Sequence, residues 1–131
     1  MTEQDPFRTI ILDNNQTLEL RDRSRKIAQN AYVVIMEAGL TVPVVRDWFT
    51  DQDLALIPGG FDGLTAMVGD RVEFLHKAER NFILEPDRQS VFENLVSTFT
   101  ANTLNYVAHE SFPRKLIMKT YRDACKQRRI P

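Results

Sequence analysis

Glu73 and His76 are the residues of this chain best spaced for chemistry, followed by His109-Glu110-Ser111 and the glycines at 59, 60 and 63. On a helix, Glu-x-x-His puts a carboxylate and an imidazole on one face, the spacing of di-iron sites inside four-helix bundles. That chemistry needs a second Glu-x-x-His, and His109, the other histidine, has Tyr106 at the glutamate position. Glu73, His76, Lys77 and Arg80 read instead as the polar side of a helix whose apolar side is Val68, Val72 and Leu75. Glu73 and Lys77 then form a favourable i,i+4 pair. No metal site and no cofactor is predicted.

The remaining reactive residues fail on geometry. Consecutive helical side chains diverge by about 100°, so His109, Glu110 and Ser111 are badly placed to relay a proton. His109 suits the last turn of a helix, where its charge meets the macrodipole. No Gly-x-Ser-x-Gly elbow is present. The Gly59-Gly60-x-x-Gly63 run lacks a preceding strand and is followed by Leu64 and Thr65 where a phosphate loop has Lys and Ser/Thr. It reads as a flexible connector whose Phe61 plugs back into the core or docks on a partner. Asp47, Asp51, Asp53 and Asp62 do not follow the EF-hand order, because Leu56 takes the place of its turn glycine and the closing glutamate is missing. The single cysteine, Cys125, excludes an intramolecular disulfide and reads as a half-buried helix residue. No catalytic residue is assigned, and the protein is expected not to be an enzyme.

Charge points to binding. The net charge of −1 excludes nucleic-acid binding driven by overall charge. The cations are nevertheless uneven. Arg114, Lys115, Lys119, Arg122, Lys126, Arg128 and Arg129 crowd the C-terminal stretch, offset there by Asp123 alone. Arg122, Lys126, Arg128 and Arg129, with Phe61, are the candidates for docking a partner. A second basic group, Arg21, Arg23, Arg25 and Lys26, opens the first predicted helix.

The elements that must position these residues read mostly as helices. Residues 7–20 alternate around Asp13-Asn14-Asn15 and predict a β-hairpin. From Asp22 onward the body, 22–129, is expected to be helical. Ile27, Ala31, Val34, Ile35 and Ala38 form a stripe stopped by Gly39. A short helix over 42–49 follows, with Pro43 in its first turn and Trp48 as a buried anchor. Thr50 and Asp53 resemble a capping box that opens one helical turn towards Ile57. A helix through Leu64, Val68, Val72, Leu75 and Phe82 comes next, weakened by about 1 kcal/mol at Gly69. Another, capped by Asp87, runs from Phe92 to Val107, and a last one carries Ile117, Tyr121 and Ala124.

The expected fold is mainly α: one compact domain over 1–131, of about five helices, with a short N-terminal hairpin. Within it, Val34–Trp48 has the spacing of a helix-turn-helix. Such a unit would read DNA through Thr41 and Arg46, flanked by Arg23, Arg25 and Lys26. An ordinary helical corner fits the same residues, and a lone Arg46 beside Asp47 is a thin reading face. The expectation is therefore a small regulatory or assembly protein that binds another protein, with DNA binding as the alternative and a homo-oligomer among the forms considered. No apolar run approaches the roughly 20 residues of a membrane span, and the N-terminus is too polar for a signal peptide. Cytoplasmic residence is expected.

Overall fold

β-branched and aromatic residues over 31–44 build strand rather than helix. The structure, a computed structural model, describes residues 7–129, with side chains through Gln127. Along the chain lie β1 (Arg8–Ile11), β2 (Thr17–Asp22), β3 (Arg25–Ala28), β4 (Ala31–Pro43), a 3-10 turn at Arg46–Trp48, α1 (Asp51–Ala55) and α2 (Gly60–Val68). Then follow β5 (Arg71–Leu84), a second 3-10 turn at Glu85–Asp87, α3 (Arg88–Asn102), α4 (Leu104–Ala108) and α5 (Phe112–Arg129). The mainly α expectation is corrected: the strands form one five-stranded antiparallel sheet, and the fold is mixed α/β.

The sheet is a meander. β1 pairs β2 with Arg8 opposite Leu20 and Ile11 opposite Thr17, as the hairpin reading predicted. Its turn places Asn15 at φ 67°, which Asn tolerates. β2 and β3 act as one strand against β4. Glu19 faces Gly39, Asp22 faces Met36, and the same register resumes at Arg25–Val33 before slipping by one residue at Ala28. At the join, the Ile35 amide donates to Ser24 Oγ at 2.9 Å, where a continuous ladder would use a backbone carbonyl. Gly39, expected to stop a helix, sits mid-strand opposite Glu19.

β5 pairs the other side of β4. The Val44 amide donates to the Asp70 carbonyl at one end, and the Glu85 amide donates to the Asn30 carbonyl at the other. Between these bonds β5 is one residue longer than β4, which requires a bulge. Phe82, at φ 56°, marks it. The expected helix from Leu64 through Phe82 is therefore two elements. α2 stops at Gly69, whose φ of 85° suits a glycine, and the strand begins two residues later.

Compactness divides the chain into two units. One comprises the residues up to Leu40 with Leu75–Ala108, and the other Thr41–Phe74 with the residues from His109 on. In the first unit, even-numbered residues of β2 and β4 point inward. Leu18, Leu20, Val34, Met36, Ala38 and Leu40 are buried with Phe92, Leu95, Val96 and Phe99 of α3 and Val107 of α4. Phe7 meets Phe92 edge-on at 5.0 Å, and the His76 ring lies 5.3 Å from that of Phe99. The turn between β1 and β2 is tied down by Asn14, which is buried and donates to the Val107 carbonyl at 2.8 Å. Arg88, opening α3, lays its guanidinium on the Tyr32 ring at 4.8 Å with Asp22 3.9 Å away.

The second unit is mostly helical. Leu54, Ile57, Leu64, Val72, Phe112 and Ile117 are buried, and Phe74 meets Phe112 edge-on at 5.5 Å. Thr50 and Asp53 form the predicted capping box at the start of α1. The Thr50 amide holds the Asp53 carboxyl below its ordinary range, and Arg114, 3.5 Å away, adds to the effect. The helix expected over 42–49 is instead the end of β4 and a 3-10 turn. Trp48 is half-buried rather than a core anchor, and its indole N–H donates to the Pro43 carbonyl at 2.9 Å.

Candidate interaction surfaces

α5 buries one side and offers cations on another. Phe112 and Ile117 are buried, while Lys115, Lys119, Arg122 and Lys126 are all exposed. Their spacing of four, three and four residues sets them in one row along the helix. Asp123 lies beside the row and takes a 3.0 Å hydrogen bond from Lys119. That bond holds the Asp123 carboxyl below its ordinary range, with the charges of Lys119, Lys126 and Arg122 adding to it. The row can pair with several carboxylates at once. Of the predicted tail residues, Arg122 and Lys126 fall in it, whereas the side chains of Arg128 and Arg129 lie outside the described residues. Phe61 does not join them as a loop residue: it is half-buried in the first turn of α2.

β5 offers a different kind of surface. Among the described residues it pairs with β4 alone, which leaves a long strand with one open edge. Arg71, Glu73, Leu75, Lys77 and Glu79 alternate along its outer face, all exposed. Sequence reasoning missed them because Val68, Val72, Leu75 and Phe82 also fit a helical stripe. The period-two placement of charge at 71, 73, 77 and 79 was the available sign of a strand.

Several predicted groupings dissolve in the structure. On a strand, Glu73 and His76 point to opposite faces, so the shared polar face of Glu73, His76, Lys77 and Arg80 does not exist. Lys77 pairs with Glu37 at 3.8 Å instead of with Glu73. No group of three potential metal ligands occurs among the described residues. His109 and Ser111 do meet, contrary to expectation, with Nδ1 2.8 Å from Oγ. The Ser111 amide also donates to that Nδ1 at 3.0 Å, so the imidazole nitrogen is engaged in the turn before α5. The glycines at 59 and 63 serve the backbone. Gly59 has φ 82°, and a Cβ on Gly63 would collide with the Pro58 carbonyl oxygen. The Tyr121 hydroxyl is pushed above its ordinary pKa chiefly by its hydrogen bond with Cys125.

The helix-turn-helix residues are also dispersed. Val34–Pro43 is strand, so no first helix exists to support a reading helix. Thr41 is on β4, and Arg46 lies in the 3-10 turn with Asp51 3.6 Å away. Arg23 pairs with Glu37 at 3.3 Å, and Arg25 and Lys26 are exposed on β3.

Two shallow clefts flank α3. One, of about 550 Å³, is lined by Phe7, Arg8, Glu93, Val96, Ser97 and Thr100. The other, of about 360 Å³, lies by Arg80, Ile83, Ser90, Val91 and Asn94. Neither gathers the convergent polar groups of a small-molecule site. Comparison with protein families, curated proteins and solved structures finds no match to this chain. No helix among the described residues is long and apolar enough to cross a membrane.

Proposed function

We propose that this is a non-enzymatic cytoplasmic protein, a small regulatory or assembly factor, that binds an acidic protein partner along α5. The observation carrying this reading is the row of exposed cations at Lys115, Lys119, Arg122 and Lys126, offset by Asp123 alone. Exposed charges of this kind contribute little to folding yet steer encounter with an opposite surface. Cytoplasmic residence is supported by the single cysteine, which leaves no intramolecular disulfide.

The test is a quadruple variant, Lys115→Gln, Lys119→Gln, Arg122→Gln and Lys126→Gln. The partner is captured from the native host, with and without nuclease, and its affinity for both proteins is then titrated. The variant should bind at least about tenfold more weakly, a loss of about 1.4 kcal/mol, with its thermal midpoint within about 2 °C of the parent's. Equal binding at low salt would sink the reading. A partner lost on nuclease treatment, with log affinity falling by about 0.9 per phosphate contact against log salt, would transfer the surface to nucleic acid.

A further inference from the structure

We propose that two copies of this chain pair antiparallel along the open edge of β5, about a two-fold axis at Leu75. The inference stands apart from the α5 surface and starts from backbone direction. Asp70 gives its carbonyl to Val44, the residue just after β4. Backbone groups alternate in direction along a strand, so Arg71, Glu73, Leu75, Lys77 and Glu79 aim N–H and C=O at the open edge. Their side chains share the outer face and are exposed, Leu75 by 59%.

The charges on this row change sign when the row is reversed. Read outward from Leu75, one direction gives Lys77 then Glu79, and the other gives Glu73 then Arg71. A two-fold axis at Leu75 therefore sets Glu73 against Lys77 of the second copy and Arg71 against Glu79, with Leu75 on Leu75. Each of these pairs exchanges both backbone hydrogen bonds, so the open edge is satisfied while every outward charge meets its opposite. The next residue outward on each side, Asp70 and Arg80, is matched in the same way. Neighbouring registers fail. An axis at His76 opposes Glu73 to Glu79, one at Phe74 opposes Arg71 to Lys77, and one at Lys77 sets that residue against itself. An axis at Ala78 keeps Lys77 against Glu79 but leaves Glu73 facing Ile83 and Leu75 facing Asn81, so it pairs fewer of the outward charges than the axis at Leu75. An edge strand left merely solvated has no need of this order; a closed isologous interface does.

Charge exchange on the full chain tests both the pairing and its register. Sedimentation of the parent protein should give twice the monomer mass at micromolar concentration. Glu73→Lys alone, or Lys77→Glu alone, puts like charges opposite each other on both sides of the axis and should weaken association by about tenfold or more. Mixing the two single variants should restore the dimer as a one-to-one hybrid, since each then carries what the other lacks. The double variant Glu73→Lys, Lys77→Glu should also dimerise. Thermal melts verify that every variant is folded, and recovery in the mixture verifies it independently. A parent that stays monomeric up to about 100 μM overturns the proposal. So does a dimer indifferent to the single exchanges, or one that the mixture fails to restore.

Discussion

Two outer strands of the sheet, β1 and β5, are held in opposite ways. β1 is four residues long and anchored at both ends. Phe7, just before it, meets buried Phe92 edge-on, and just after it the turn is fastened by Asn14 to the carbonyl of Val107. β5 is fourteen residues long, shows Leu75, Phe82 and Leu84 to solvent, and pairs only with β4 among the described residues. A short edge fixed by side chains offers little template to another chain. A long edge can avoid indiscriminate pairing through its charges, which here match best in one register. The contrast separates two ways of managing an edge: anchoring it, or making it selective.

The largest expected effect breaks the anchored side. Phe92→Ala removes the ring beneath Phe7 and should cost roughly 3–5 kcal/mol in chemical denaturation, as large-to-small core changes do. A loss below 1 kcal/mol would mean that β1 is not held by this contact. Asn14→Ala leaves the Val107 carbonyl without its buried donor and should cost about 1–3 kcal/mol. Amide exchange should rise in the turn at 12–16 while β5 is untouched; equal acceleration in both would erase the distinction between the edges.

On the selective side the stability effects are smaller. Phe82 holds a left-handed backbone at φ 56° while its side chain is 69% exposed, so little burial offsets the strain. Phe82→Gly should raise stability by roughly 0.5–1 kcal/mol, measured by the urea midpoint at unchanged slope, and a decrease would show that the ring has a packing role. Lys77→Glu should change the stability of the dilute, monomeric protein by no more than about 0.5 kcal/mol, because it is an exposed site. A larger loss would mean that the 3.8 Å pair with Glu37 matters more to folding than to selectivity.

What was legible in the sequence follows the same physical divide. Local chemistry reads well: the Asp13-Asn14-Asn15 turn, the capping box of Thr50 and Asp53, and the helical start near Asp87 were readable because neighbours in sequence determine them. β4 was not readable by periodicity. Its even residues are buried from Val34 on, but Ala31 and Val33 are buried too and Tyr32, Ile35 and Gly39 are half-covered. The alternation is blurred into a run that also satisfies a three-four spacing. The adjacent Val33, Val34 and Ile35, all β-branched, carried the contrary message. Of the candidate surface, Arg122 and Lys126 were found from charge alone. The β5 row is hidden in the sequence because Gly69, which separates helix from strand, also fits a weak point within one helix.

Ser24 divides the long partner of β4 into β2 and β3, and its hydroxyl carries the Ile35 amide. An amide held by a backbone carbonyl is released to water only when strands part, whereas this one can be released by rotation about a single Cα–Cβ bond. The Ile35 proton should therefore exchange through a local opening with weak denaturant dependence, while flanking amides on the same strand follow the opening of the sheet. The strand pair beside β4 thus carries a seam at which the segment beyond Ser24 can loosen without disturbing the hairpin before it.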